Sequence, residues 1–284
     1  MFARSKTPEC ALFSTWTFSR YDPNPFGIVN KAGGDPLTTG RTIHDLSFPE
    51  GASINDFTDQ DAIPRANYRH CDVFAAEILR CKQEYPDAEI KIMAGDVTYA
   101  FRNVSIHSRS VHRVAGRIEI ENALVIELAC PFGWTGSPGE YEVIGGVVAF
   151  VHEKLGNRHN PNGFFNFHCV VDDHVNVAAD VGTNCQDMER YLRYAMTALL
   201  GSGAVNEDKF TTWNTSQKIL GLQFDSIEGT VAMPVVKIDK ARPMVVSAYH
   251  PSSLSRKRYR PSWETCVTSQ HAFRQRAHFS SASV

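Results

Sequence analysis

Apolar residues along the chain fall into short runs whose spacing changes between two periods. Residues 66–84 carry Phe74, Ala75, Ile78 and Leu79 at helical spacing, with Pro86 just after the end, and this predicts a helix. EIKIMAGDV (89–97) has the form of an alternating or buried strand. RVAGRIEI and LVIELACPFG are two further β-rich pieces, with Glu121–Asn122 as the turn between them. Ser137–Pro138 opens a second helix, since proline suits the first helical turn, and the helix runs to Gly156. FFNFHCVV and HVNVAA flank Asp172–Asp173 as a tight hairpin with two acids at its tip. Thr183 and Gln186 form a capping-box pattern before the helix MERYLRYAMTALLG, and KILGLQF follows as a strand. Upstream, PFGIVNK and RTIHDLSFP are short extended segments joined by the turn KAGGDPLTTG. The order predicts an α+β fold, a sheet with helices packed on one face.

Composition changes this picture little. The chain has 284 residues, 43% hydrophobic and 21% charged, which is ordinary for a globular protein. No apolar stretch is long enough for a membrane span, and the N-terminus lacks the apolar run of a signal peptide. The seven cysteines are scattered without C-x-x-C pairing, which suggests reduced thiols and an intracellular location, cytoplasm or nucleus, without secretion. The net charge of −2 does not by itself favour a nucleic-acid binder. Arg102, Arg109, Arg113 and Arg117, with His107 and His112, nevertheless form one local basic cluster, which on its own reads as a solvated surface.

Three acids stand at informative places. Asp96 ends an apolar strand, and Asp172 and Asp173 lie between two others. An Asp-Asp pair is common in turns, because aspartate bonds its own backbone there. The apolar flanks and the third acid also allow a second reading, in which carboxylates at neighbouring strand ends converge. Two Mg²⁺ ions about 3.5–4 Å apart, held by such carboxylates, are what phosphoryl transfer from a nucleoside triphosphate uses.

The motifs around these acids resemble those of reverse transcriptases. DVTYAFR (96–102) is similar to the first palm motif, and ACPFGWTGSPGEYE (129–142) to the loop-helix that binds nucleotide. CVVDDHV (169–175) resembles Y-x-D-D, GAVNEDK (203–209) the following Gly-x-x-x-x-x-Lys segment, and ILGLQFD (219–225) the primer-grip hairpin. GIVNK (27–31) and GRTIHDLSFPEGASIND (40–56) resemble the fingers of retroelement enzymes, the DIRS-like, tyrosine-recombinase retrotransposons in particular. The resemblance covers roughly residues 25 to 245 as an ordered series.

It implies a right-hand polymerase fold of fingers and palm with the thumb truncated or absent. The implied divisions are an N-terminal extension (1–24), fingers with the start of the palm (25–95), palm (96–240) and a partial thumb or disordered tail (241–284). The implied function is RNA-directed DNA polymerase, with two Mg²⁺ ions for which Mn²⁺ substitutes. The implied partners are an RNA template, a DNA or RNA primer and deoxynucleoside triphosphates. Asp96, Asp172 and Asp173, with the carbonyl of Val97, are the implied metal ligands. Phe101 would lie under the sugar and exclude a 2′-hydroxyl, and Lys31 and Arg41 would neutralise the triphosphate. Pro131, Phe132 and Gly133 would wall the nucleotide pocket, with Gly133 permitting close backbone approach. Lys209 would be the general acid to the departing pyrophosphate, and Leu220 and Gly221 would form the primer grip. Without the resemblance, Phe101 reads as core packing, Arg41 as an exposed strand residue and Lys209 as a surface lysine.

Two departures stand out. Val170 replaces the tyrosine of Y-x-D-D, which bears on primer positioning. From about Arg256 the apolar periodicity collapses into a basic, Ser-rich stretch. Read in a shifted frame, compatible codons encode SLLGDLRHVATC-like text, similar to thumb helices, so a frameshift in a decaying retroelement copy is one expectation. A catalytically inactive remnant that binds RNA or hybrid duplex through the Arg102–Arg117 region is the first alternative. An RNA-templated RNA polymerase is the second, and Phe101 argues against it. No RNase H or recombinase segment is recognisable.

Overall fold

The computed structural model describes residues 10–14, 25–30, 35, 40–65, 68–118, 121–159, 166–170 and 172–249. In chain order the elements are β1 (Cys10–Ser14), β2 (Phe26–Asn30), β3 (Gly40–His44), α1 (Cys71–Glu84), β4 (Ile90–Asp96), β5 (Ala115–Ile118), β6 (Ala123–Glu127), α2 (Ser137–His159), β7 (Asn166–Val170), β8 (Asp173–Ala179), α3 (Asn184–Leu200), β9 (Ser216–Ile219), β10 (Leu222–Asp225), β11 (Thr230–Ala232) and α4 (Val235–Tyr249). They fall into two compact units. One is drawn from Met1–Asn67 and Val97–Val147, the other from Tyr68–Asp96 and Val148–Val284. Lys31, Val171 and the stretch from Arg256 onward lie outside the described residues, as do the side chains of Arg41 and Val170.

The second unit is built on an antiparallel sheet of order β4-β8-β7. Its central strand β8 is buried along nearly its whole length, so each of its faces needs cover. Val175, Val177 and Ala179 join Ile90 and Ile92 of β4 and Phe74, Ala75 and Ile78 of α1 in one core. The alternate residue Ala178 packs with Cys185 and Met188 of α3. Helices therefore lie on both faces of this sheet, not on one as the element order predicts. The reason is β8 itself, whose run HVNVAA offers no solvent-facing alternate positions. β9, β10 and β11 form a second small sheet that adds Ile219, Leu222, Phe224 and Val231 to the α1 core.

Two local expectations need correction. KILGLQF is not one strand. Leu220 and Gly221 both take positive φ (47° and 79°) and turn the chain from β9 into β10. Thr183 is the N-cap residue of α3 but makes no cap hydrogen bond. Its hydroxyl donates instead to Asp187 Oδ2 at 2.7 Å, because an acid one turn on outcompetes the backbone N–H.

In the first unit β1 pairs with β6 and β6 with β5, and β2 pairs with β3. Cys10–Ser14 has no distinctive alternation that would predict its pairing with β6. Arg102, placed by sequence in a basic surface cluster, is instead mostly buried and ion-paired with Glu127 on β6 (Nη2 to Oε1 3.1 Å). Glu127 is 2% exposed, and a buried carboxylate requires a partner. Arg109, Arg113 and Arg117 remain exposed. No helix among the described residues is long and apolar enough to cross a membrane.

Candidate metal centre

The β4–β8 ladder carries its chemistry at one end. Its register sets Ile92 opposite Val177, Ala94 opposite Val175 and, at the last pair, Asp96 opposite Asp173. Side chains directly opposite on an antiparallel pair share a face, so two carboxylates meet where the apolar ladder stops. Asp172 precedes β8 in the turn from β7 and brings a third. One oxygen from each of Asp96, Asp172 and Asp173 lies within 4.8 Å of the others. All three belong to the second unit.

Burial makes the cluster electrostatically tense. Asp96 is 3% exposed. Burial, then the like charges of Asp172 and Asp173's other neighbour Asp96, push the Asp173 carboxyl up to about 6 against the partial relief of Lys209. Oxygen-only donors, convergent and held close against their own repulsion, suit a hard divalent cation such as Mg²⁺. The triad is thus able to hold a metal ion.

A turn following α3 completes the cluster. The Lys209 ammonium donates to Asp96 Oδ2 at 2.7 Å and lies 3.9 Å from Asp172 Oδ2. Burial lowers the lysine's affinity for its proton, but the hydrogen bond to Asp96 and the charges of Asp96, Asp172 and Asp173 outweigh it and raise its pKa. Asn206 donates from Nδ2 to Asp96 Oδ1 at 2.6 Å. The turn lies along the free edge of β4: the Thr211 N–H donates to the Ala94 carbonyl (2.9 Å), and the Ala94 N–H to Thr211 Oγ1 (2.8 Å). Gly95 lets it come this close, since a Cβ there would stand 2.7 Å from Leu192 Cδ2 and 2.8 Å from Phe210 Cε2. Arg193 stacks over the Phe210 ring at 4.0 Å and pairs with Glu207 at 2.7 Å, pinning the turn from outside.

The remaining sequence-selected residues divide between the units. Leu220 and Gly221, in the second, form the β9–β10 turn. In the first, Val97 is fully buried. Phe101 is 9% exposed and packs on Phe132 (ring centroids 5.0 Å) and Tyr141 (6.3 Å). Pro131 O accepts from the Ser137 hydroxyl at 2.8 Å, and Phe132 O accepts from the His44 N–H at 2.8 Å. Gly133, at φ 117°, approaches the backbone so closely that a Cβ would fall 1.8 Å from His44 O. Asn55 spans this loop, donating to Gly133 O (2.8 Å) and accepting from the Thr135 N–H (3.0 Å). Arg41 lies on β3 opposite Val29. Sequence reasoning singled out neither Asn206 nor Asn55. The available signal for Asn206 was an amide inside the GAVNEDK turn, three residues before Lys209.

No protein-family model matches the chain, and none of the curated proteins matches it in sequence. Solved structures do. The foamy viral protease-reverse transcriptase, in its dRH form in complex with double-stranded DNA, is similar at TM-score 0.55 and 14% identity, over 89% of this chain and 36% of that one. The foamy viral protease-reverse transcriptase in complex with RNA/DNA hybrid is similar at TM-score 0.55 and 17% identity, over 86% of this chain and 27% of that one. Another complex with double-stranded DNA gives TM-score 0.53 and 15% identity, over 90% and 44%. The chain spans less than half the length of each of these proteins. At such identities the likeness is one of fold, and this chain has a reverse-transcriptase-like fold.

Proposed function

We propose that the chain is an RNA-directed DNA polymerase of retroelement origin, similar to the DIRS-like lineage, with fingers, palm and a truncated thumb. The observation that carries this reading is the triad of Asp96, Asp172 and Asp173 at the end of one ladder, within 4.8 Å of one another, on a reverse-transcriptase-like fold. Asp96, Asp172 and Asp173 would hold two Mg²⁺ ions, with the Val97 carbonyl as a further ligand. Bound there, the ions would activate the primer 3′-hydroxyl and stabilise the charge on the leaving pyrophosphate.

The chain's own residues supply the rest. In the reaction the primer 3′-hydroxyl would give up its proton to solvent, its oxygen would bond to the α-phosphorus of a deoxynucleotide, and the bond from that phosphorus to the bridging oxygen would break to release pyrophosphate. Lys209 holds a proton on Nζ at the edge of the triad, and its raised affinity for that proton keeps it charged and able to donate to the pyrophosphate. Lys31 and Arg41 would bind the triphosphate. Phe101, held rigidly by Phe132 and Tyr141, would refuse a 2′-hydroxyl. Pro131, Phe132 and Gly133 would shape the pocket wall, and Leu220–Gly221 the primer grip.

Primer extension on an RNA template with Mg²⁺ or Mn²⁺ tests the reading. Template-directed incorporation of deoxynucleotides is expected. No extension by the wild-type chain would favour an inactive remnant that only binds nucleic acid. Ribonucleotides incorporated as fast as deoxynucleotides would indicate an RNA polymerase.

A further inference from the structure

Asn206 meets Asp96 at more than one point. Its side-chain amide donates to Asp96 Oδ1 at 2.6 Å, and its backbone N–H donates to the Asp96 carbonyl at 3.0 Å. Its own carbonyl accepts from the N–H groups of Lys209 (3.1 Å) and Phe210 (2.9 Å), which closes the turn that delivers Lys209 to Asp96 Oδ2. One residue thus ties the end of β4 to the turn and sets the orientation of a buried carboxylate.

That orientation needs holding. With three carboxylate oxygens within 4.8 Å, repulsion favours any rotation that carries Asp96 away from Asp172 and Asp173. Its side chain is 4% exposed, so solvent screens little of this. Lys209 grips Oδ2, but through a long side chain that is 53% exposed and whose charge competes with a cation for the same oxygen. The Asn206 amide is short and neutral, and its backbone is fixed to the same strand end. A carboxylate oxygen has two lone-pair sites, so one donor on each oxygen leaves each with a site for a cation.

We infer that Asn206 is a positioning residue that fixes the Asp96 carboxylate for divalent-cation binding, an inference that rests on reading the triad as a metal centre. Groups that orient metal ligands in this way change metal affinity by roughly 10–100-fold when removed.

The test is Mn²⁺ binding to the full chain, followed by the electron paramagnetic resonance of unbound Mn²⁺, for wild type, Asn206→Ala and Asn206→Ser, alone and combined with Asp96→Asn. Serine keeps a hydroxyl but is too short to reach Oδ1. Both single variants are expected to bind Mn²⁺ about tenfold or more weakly while their circular dichroism stays that of wild type. In the Asp96→Asn background, changing Asn206 is expected to add nothing, because its effect passes through Asp96. Unchanged affinity in the folded single variants, or an equal loss in the Asp96→Asn background, would overturn the inference. So would loss of the fold in both variants, which would make Asn206 an architectural residue. Failure of the wild-type chain itself to bind Mn²⁺ would instead remove the metal-centre reading, and the inference with it.

Discussion

The β4–β8 ladder has two ends that obey opposite rules. At the inner end, Ile90, Ile92 and Ala94 face Ala179, Val177 and Val175, and each cross-strand pair adds apolar burial under α1. At the outer end, Asp96 faces Asp173, a like-charged pair directly opposite on one face, an arrangement that destabilises a sheet. The same backbone register produces both. Stability is concentrated in the inner pairs, and at the outer pair Asp96 is held by Asn206 and Lys209. The difference teaches that the acidic end is not explained by packing, since nothing in the sheet requires a buried Asp96 opposite a half-buried Asp173, whereas a bound cation would offset their repulsion.

Three changes break or sharpen this contrast. The largest effect is expected at the inner end. Ile92 is fully buried, and Ile92→Ala should cost about 2–5 kcal/mol in chemical denaturation. Mn²⁺ affinity, measured on the folded fraction, should stay the same. At the outer end the sign reverses. The Asp173 carboxyl is raised to about 6 in the fold, from 3.8, so the folded state holds its proton more tightly than the unfolded chain. Stability is therefore lost as pH rises from about 4 through about 6. Asp173→Asn should accordingly melt a few degrees higher than wild type at pH 8 without metal, with the advantage fading as pH falls through about 6 toward 4. Wild-type Mn²⁺ affinity should weaken over the same interval as Asp173 takes up its proton. A smaller effect is expected between the two ends. Gly95→Ala should cost about 1–2 kcal/mol in denaturation, because Leu192 and Phe210 must shift to admit a Cβ. That shift disturbs the 206–210 turn, so a modest loss of Mn²⁺ affinity should accompany it.

Much of this architecture was legible in the sequence because it is written in local patterns. The apolar runs on either side of Asp172–Asp173, the apolar strand ending at Asp96 and the helical spacing of Phe74, Ala75, Ile78 and Leu79 all correspond to elements of the fold. The meeting of Asp96 with Asp173 depends on ladder register, which the equal apolar character of both strands leaves open to reading from a single chain. Helices on both faces follow from the burial of His174, Asn176 and Ala178 on the second face of β8, which the polar type of His174 and Asn176 conceals in the sequence. Asn206 and the Arg102–Glu127 pair were harder to see. Each depends on a contact far along the chain (Asn206 with Asp96, Arg102 with Glu127) that no periodicity encodes. Arg102 shows the hazard directly, because neighbouring arginines in sequence suggested a shared surface while the fold turned one of them inward.

The central claim, that the acidic end of the ladder is a polymerase's metal centre, meets its most direct test in primer extension by wild type and Asp172→Asn side by side, on an RNA template with deoxynucleotides and Mg²⁺. The account predicts extension by wild type and a loss of about a thousandfold or more in the variant, in which a carboxylate ligand becomes a neutral amide of the same shape. Extension by Asp172→Asn at a rate close to wild type would contradict it.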